Sequence, residues 1–128
     1  MNFDHLAAVT AQNIVAGFSA PNAPGRDKVE TVIRKALGVV QENGPTAAIL
    51  FLYTRSKEEE PASKSLRTQL LGMTSRLFSI TTGPADRAAD ALTFLANNVS
   101  DQLPRLLLVR QSWEQTLIYA RFAAKAML

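Results

Sequence analysis

The hydrophobic and polar positions of residues 29–56 predict a helical hairpin. In the first arm one face is apolar throughout, at Val29, Val32, Ile33, Ala36, Leu37 and Val40. The chain then breaks at Asn43-Gly44-Pro45, because the glycine can adopt the positive φ that ends a helix and the proline suits the first turn of the next. The second arm, residues 46–53, has no polar face. We therefore expect it to be buried among four or more other helices.

A first helix is predicted over residues 2–18. Its apolar positions recur at helical spacing, at Phe3, Leu6, Ala7, Ile14 and Phe18. It should stop in residues 19–25, SAPNAPG, whose two prolines and glycine oppose continuation. Asp27 stands three residues before Glu30, and this capping-box spacing would let each acid accept a bond from an unpaired N–H where the hairpin begins.

A fourth helix is predicted after the hairpin. Residues 55–63, RSKEEEPAS, form a charged loop that we expect to be exposed and mobile. Ser63 or Ser65 can cap the helix that follows, which should end near Thr82 and Gly83. Its core positions are Leu66, Leu70, Leu71, Met73, Leu77, Phe78 and Ile80.

A fifth helix is predicted over residues 84–98. Pro84 suits its first turn, and Asp86 favours the positive end of its dipole. The inward positions are Ala88, Ala91, Leu92, Leu95 and Val99. Residues 100–110, SDQLPRLLLVR, fit a short strand, an extended packed segment or a helical turn after Pro104, and we favour a helical or irregular structure.

A last helix is predicted to open at Ser112, which stands three residues before Gln115 in a second capping box. One of its faces should carry Trp113, Thr116, Leu117, Ala120, Ala124 and Met127. About six helices with no alternating strand pattern indicate an all-α bundle, with residues 1–128 forming a single domain.

The composition fits this fold. A chain of 128 residues can bury a single core, and the absence of cysteine excludes disulfides, thiolate metal sites and cysteine nucleophiles. We find no signal peptide at the start and no apolar run of membrane-spanning length, so we expect a soluble, cytoplasmic protein without a membrane partner. The net charge of +3 is mild, but three of the eleven acids are the consecutive Glu58, Glu59 and Glu60, so the balance outside this run is clearly basic.

Catalytic chemistry is sparse in this sequence. His5 is the single histidine, the glutamate run lacks the spacing of a coordination loop, and the glycines do not form a phosphate loop. We therefore predict no catalytic residue, no metal and no cofactor. A small hydrolase that uses His5 and the glutamates is the weakest alternative.

The cationic residues are a better candidate site. Arg34 and Lys35 point away from the apolar face of the second helix, and Arg121 and Lys125 lie one turn apart on the last. Such residues can neutralise a nucleic-acid backbone, although scattered surface cations often serve only solubility. Aromatic residues for stacking on bases are few, because the best candidates fall in or beside core stripes, at Tyr53, Trp113 and Tyr119.

Two stretches of the sequence resemble a known family. Residues 32–56 include the run IRKALGVVQENGPTAAILFLYTRS, and residues 119–127 read YARFAAKAM. Both resemble the small α-helical subunit of type III-B CRISPR effector complexes, the Cmr small subunit. The small residues of helix one, Ala7, Ala8 and Ala11, are similar to those of its opening helix. Departures in the turn and in the closing helix leave open the small subunit of another type III or of a type I complex.

The resemblance implies a non-catalytic role. Such subunits stack head to tail with copies of themselves along the backbone subunits, contact the large subunit and help to hold the CRISPR RNA and target RNA. The residues that we predict to contact nucleic acid or other subunits are Arg34, Lys35, Arg55, Lys64, Arg67, Arg121 and Lys125. An alternative from another class is a helical protein–protein adaptor, conceivably a homodimer, whose basic residues are merely solvated.

Overall fold

The computed structural model describes residues 2–81 and 87–128. Within these ranges the chain forms six α-helices and no strand, which confirms the predicted all-α bundle. The helices are α1 (Phe3–Ala16), α2 (Val29–Asn43), α3 (Pro45–Leu52), α4 (Glu60–Phe78), α5 (Ala88–Leu95) and α6 (Leu103–Met127). A 3₁₀ turn at Arg26–Lys28 leads into α2, and a π-helical turn at Ala96–Ser100 extends α5. Buried side chains from all six helices join in one core.

The predicted hairpin is confirmed in α2 and α3. The six apolar positions of α2 are all buried. Gly44 ends the helix with a φ of 88°, its N–H donates to the carbonyl of Val40 at 2.9 Å, and Pro45 occupies the first turn of α3. This conformation lets the chain reverse direction, and glycine is suited to the position because it adopts a positive φ without strain.

Helix α3 contacts four other helices, α2, α4, α5 and α6, as predicted. Its buried positions are Pro45, Ala48, Ile49 and Leu52. The expectation that the whole arm is buried is wrong, however, because Leu50 is 42% exposed.

Helix α1 packs against α4 and α6. Asn2 caps it by accepting a hydrogen bond from the N–H of His5 at 3.0 Å. Ala7, Ile14 and Phe18 are buried as predicted, but Phe3 is exposed, so its assignment to the core is wrong. Asp4, the next residue, accepts a hydrogen bond from the hydroxyl of Tyr119 on α6, so Asp4 and not Phe3 makes the contact with α6 that is seen here.

The predicted capping box of Asp27 and Glu30 is wrong. The 3₁₀ turn at Arg26–Lys28 occupies that place, and its last N–H bonds to the carbonyl of Gly25 at 3.0 Å. No side chain caps α2. The carboxylate of Glu30 instead accepts a hydrogen bond from Arg121, a partner far away in the sequence.

The predicted cap of α4 is also wrong. Helix α4 begins at Glu60, so the charged loop is shorter than residues 55–63. Ser63 is buried within the helix, and the hydroxyl of Ser65 donates to the carbonyl of Ile14 at 2.8 Å. Neither hydroxyl can cap the helix, because α4 begins several residues before them.

Helix α4 is shorter at its far end than predicted. It ends at Phe78, and Ser79 adopts a left-handed φ of 53°. Its core positions Leu66, Leu70, Leu71 and Met73 are buried, whereas Leu77, Phe78 and Ile80 are half-buried near this end. The predicted end near Thr82 and Gly83, and the start of helix five at Pro84 and Asp86, lie outside the described residues. Of the inward positions of α5, Ala91, Leu95 and Val99 are buried.

Helix α6 runs without a break for 25 residues. Pro104 lies in its first turn, so the helical interpretation of residues 100–110 is confirmed. The predicted start at Ser112 is wrong, because the leucines before it continue the helix and Ser112 lies inside it. Trp113, Thr116, Leu117, Ala120 and Ala124 are buried as predicted, but Met127 is exposed in the last turn. None of the helices in the described ranges is both long and apolar enough to cross a bilayer.

Candidate nucleic-acid interface

A single carboxylate bridges two of the predicted cations on α2 and α6. Glu30 lies 3.9 Å from Nε of Arg34, one turn along α2, and 3.2 Å from Nε of Arg121 on α6. The Arg34 side chain is 51% exposed. Helix spacing places the first pair, and the packing of α6 on α2 places the second. Two guanidinium groups from different helices are thereby held close together beside one negative charge.

A second carboxylate bridges cations on α2 and on the loop after α3. Oε2 of Glu59 lies 3.1 Å from Nζ of Lys35, and its Oε1 lies 3.6 Å from Nη1 of Arg55. The Lys35 side chain is 41% exposed. Arg55 is more enclosed, because its guanidinium stacks 3.7 Å from the ring centroid of Phe51 and its Nε donates to the Phe51 carbonyl. Lys35 is therefore the accessible member of this pair.

Arg67 is a buried structural cation. Only 7% of it is exposed, its Nη2 lies 2.7 Å from Oε1 of Glu60, and its guanidinium stands 4.6 Å from the ring centroid of Tyr53. A phosphate could reach this guanidinium only after the surrounding side chains moved. The glutamate run is only partly exposed, since the Glu59 side chain is 12% exposed, whereas the Glu60 side chain is 46% exposed and Glu58 is exposed.

Two of the predicted cations, Lys64 and Lys125, form no ion pair with any residue that the structure describes. Both are exposed. Lys125 follows Arg121 by one turn of α6, whereas Lys64 lies on α4. Their charges are therefore available to a partner in solution.

Six of the seven predicted residues fall into two groups, and each group includes one residue of α2. The α2–α6 group contains Arg34, Arg121 and Lys125, and the α2–α4 group contains Lys35, Arg55 and Arg67. Residues 34 and 35 are consecutive, so the two groups start from neighbouring positions of one helix, and Lys64 belongs to neither ion-pair set. The paired part of this surface holds five cations against three carboxylates, so a positive excess remains.

Sequence reasoning missed the carboxylates that organise these cations. The spacing of Glu30 to Arg34 and of Arg55 to Glu59, four residues each, was a readable signal for ion pairs within one turn. The contact of Glu30 with Arg121 spans 91 residues and has no local signal. Arg110 was also missed because it lay in the stretch whose structure the pattern left ambiguous.

The remaining candidate chemistry is dispersed. His5 is exposed, and among residues 2–81 and 87–128 no three His, Asp or Glu side chains come together as a metal site. Trp113 is fully buried as predicted, whereas Tyr53 and Tyr119 are half-buried beside the core.

A cleft of about 580 Å³ lies between residues 21–30 and the end of α6. Arg26 is one of its lining residues, and its Nη1 donates to the carbonyls of Phe18 and Ser19 while its Nη2 donates to the carbonyl of Leu128. These bonds join the end of α1 to the end of α6, so the guanidinium has a structural role in this cleft.

No protein-family model, curated protein or solved structure matches this chain. A function must therefore be argued from its own residues.

Proposed function

We propose that this protein is a non-catalytic small subunit of an RNA-guided CRISPR effector complex. In this proposal it packs along the backbone subunits, beside the large subunit and further copies of itself, and helps to hold the CRISPR RNA and target RNA. The observation that carries the proposal is the pair of carboxylate-bridged cation sets at adjacent positions of α2, Arg34 and Lys35. In the sequence resemblance, these two residues match the basic pair that precedes the glycine turn of the Cmr small subunits.

The bridging carboxylates suit contact with a phosphate backbone. Each holds two cations in a fixed relation and neutralises only one of them, so positive charge remains to attract phosphates. Arg34 and Lys35 are exposed enough for their charged groups to reach a ligand. Because the aromatic residues nearby lie beside the core, binding would follow the backbone without reading bases.

The test is RNA binding by the protein assembled with the backbone subunits and a CRISPR RNA. Exchange of Arg34 and Lys35 together for Ala should weaken binding equally across RNA sequences. It should also make the plot of log affinity against log salt shallower by roughly 0.7 for each phosphate that the protein no longer neutralises. Exchange of Arg76 and Arg87 for Ala removes the same charge from exposed sites elsewhere and serves as the control.

Two results would contradict the proposal. The first is an assembled complex that holds RNA equally well with and without this protein at low salt. The second is an equal effect of the two double substitutions, which would reduce the role of Arg34 and Lys35 to general charge.

The second candidate is a helical protein–protein adaptor without a nucleic-acid role. Exposed apolar side chains on α6 favour it, since such positions are suited to contact with another protein; they are Leu103, Leu107, Phe122 and Met127. An adaptor should bind its protein partner with little salt dependence and should show no affinity for RNA. Sedimentation of the isolated protein at several concentrations tests the homodimeric form.

A further inference from the structure

A small pocket lies beside the turn between α2 and α3. It has a volume of about 210 Å³ and opens between this turn and the first turns of α6. Its polar lining consists of Asn43, Thr46, Ser100 and Arg110, and Leu106 and Leu107 form its apolar side. The volume is below the roughly 300 Å³ at which pockets for drug-sized ligands begin, so a small ion or group is the appropriate occupant.

Arg110 gives this pocket a positive charge. Its Nη2 donates to the carbonyl of Gln41, which anchors the guanidinium at the end of α2, and the group forms no ion pair within residues 2–81 and 87–128. No carboxylate is in the lining. Glu42 and Asp101 are each adjacent in sequence to a lining residue, yet neither lines the pocket.

The other polar groups of the pocket can donate hydrogen bonds. The hydroxyls of Thr46 and Ser100 and the amide of Asn43 complement the guanidinium. No side chain caps α3, so the N–H groups of Thr46 and Ala47 in its first turn have no partner within the helix. Glu114, one turn after Arg110, accepts a hydrogen bond from the Gln41 side chain at 3.3 Å and is not in the lining. An arginine with neutral donors and no carboxylate in the lining is the chemistry that recognises an oxyanion.

We propose that this pocket binds a phosphate group, either inorganic phosphate or the phosphodiester of an RNA chain. None of the seven cations predicted from the sequence lines it. The site is thus independent of the RNA-binding role proposed for Arg34 and Lys35, and either can fail without the other.

The direct test is a titration of the protein with inorganic phosphate, monitored through the NMR resonances of the backbone amides. A titration with chloride at matched ionic strength is the reference. Binding should shift the amides of Thr46 and Ala47 with saturation. Arg110→Gln should abolish the saturable shift, and its melting temperature separates loss of binding from loss of the fold, since Arg110 also bonds to Gln41.

A matched pair of exposed positions gives a second test that spares the core. Leu107 lines the pocket and is 57% exposed, whereas Leu103, one turn earlier on α6, is 65% exposed and is not in the lining. Leu107→Glu should weaken phosphate binding about tenfold or more, because it places a negative charge next to the anion. Leu103→Glu, which changes the net charge equally, should alter the affinity less than about twofold.

Two results would contradict phosphate binding in this pocket. The first is the absence of a saturable shift at the amides of Thr46 and Ala47, and the second is an equal loss of phosphate affinity in Leu107→Glu and Leu103→Glu. A short single-stranded RNA without terminal phosphates then identifies the source of the group. Displacement of phosphate by this RNA at the same amides supports a phosphodiester ligand, and persistence of the phosphate shifts supports a free anion. The affinity of the Arg34 and Lys35 variant for RNA tests the other proposal separately.

Discussion

At the scale of single residues, Trp113 shows how the core accommodates polar groups. Its indole N–H donates to the hydroxyl oxygen of Thr74 at 2.9 Å, and that hydroxyl donates to the carbonyl of Leu70 at the same distance. All of these groups are buried. Leaving a buried donor without its acceptor costs more free energy than one hydrogen bond contributes to stability. These two linked hydrogen bonds therefore help to fix the contact between α4 and α6.

Thr74→Val tests the importance of these two linked hydrogen bonds. The shape is kept but the indole N–H loses its acceptor, and we expect the free energy of unfolding to fall by about 1–3 kcal/mol. Thr116→Val is the control, because its buried hydroxyl donates only to the weak acceptor Sδ of Met73, at 3.3 Å. Denaturant unfolding of both variants measures the difference. A loss for Thr74→Val no larger than that for Thr116→Val would show that the indole bond does not matter.

Removal of a bridging carboxylate should change RNA affinity in the opposite direction to removal of Arg34 and Lys35. Glu30→Gln removes the negative charge shared by Arg34 and Arg121, so under the proposed function RNA affinity should rise and its salt dependence steepen. Glu42→Gln on the same helix removes an exposed charge that forms no ion pair with the described residues and should change both less. Filter binding at several salt concentrations measures both quantities. Unchanged or weaker binding by Glu30→Gln would argue against phosphate contact at this place.

At the scale of elements, the α2–α3 hairpin depends on one backbone conformation. Gly44 has φ 88° and ψ −176°, a region that only glycine occupies readily. There is open space where a Cβ would lie, so a side chain there would meet no clash. The requirement for glycine at this position is therefore purely conformational.

Gly44→Ala should consequently lower the free energy of unfolding by about 1–3 kcal/mol. Gly38→Ala is the matched control, since it also has open space but lies within α2, where alanine should stabilise by about 0.5–1 kcal/mol. Thermal or urea unfolding would show the opposite signs. Equal effects of the two substitutions would mean that the turn tolerates a side chain.

The two sides of α3 should differ in their tolerance of charge. Leu50→Lys places the ammonium group at an exposed position and should change stability by about 0.5 kcal/mol or less. Ile49→Lys buries the charge at a fully enclosed position and should prevent stable folding. Circular dichroism during urea unfolding distinguishes the variants. Equal destabilisation by both would restore the expectation of a wholly buried arm.

The pattern of the sequence predicted elements better than it predicted their ends. The apolar face of α2 and the Gly44-Pro45 break are local signals, and they identified the hairpin. The three predicted caps failed because each candidate side chain had another place in the fold. Glu30 meets Arg121, Ser65 meets the carbonyl of Ile14, and Ser112 lies inside a longer helix. A capping box describes only neighbouring residues and cannot weigh such distant partners.

At the scale of the whole molecule, the candidate site shows the same limit. The sequence identified which cations lie on polar faces, and helix periodicity placed Arg34 and Lys35 correctly at the surface. It could not show that Arg67 is buried or that Glu30 and Glu59 hold cations from different elements. Those facts depend on how α2, α4 and α6 pack, which no local pattern contains.

Arg26 joins distant parts of the molecule and should matter for its stability. Arg26→Met removes hydrogen bonds to three carbonyls at the ends of α1 and α6, and we expect a loss of about 2 kcal/mol in the free energy of unfolding. Arg76→Met at an exposed site is the control. Amide hydrogen exchange should quicken first in the last turn of α6. Unchanged exchange there would show that Leu128 is held by packing alone.

The packing of α1 on α6 has a consequence for how the protein folds during its synthesis on the ribosome. The first helix leaves the exit tunnel long before its main partner has been synthesised, and until then its principal neighbour is α4. Side chains such as Ala11 and Ile14 remain incompletely covered during that interval. The nascent chain should therefore be most prone to aggregation and most dependent on chaperones just before α6 emerges, and it should become resistant to protease once α6 has emerged and packed on α1.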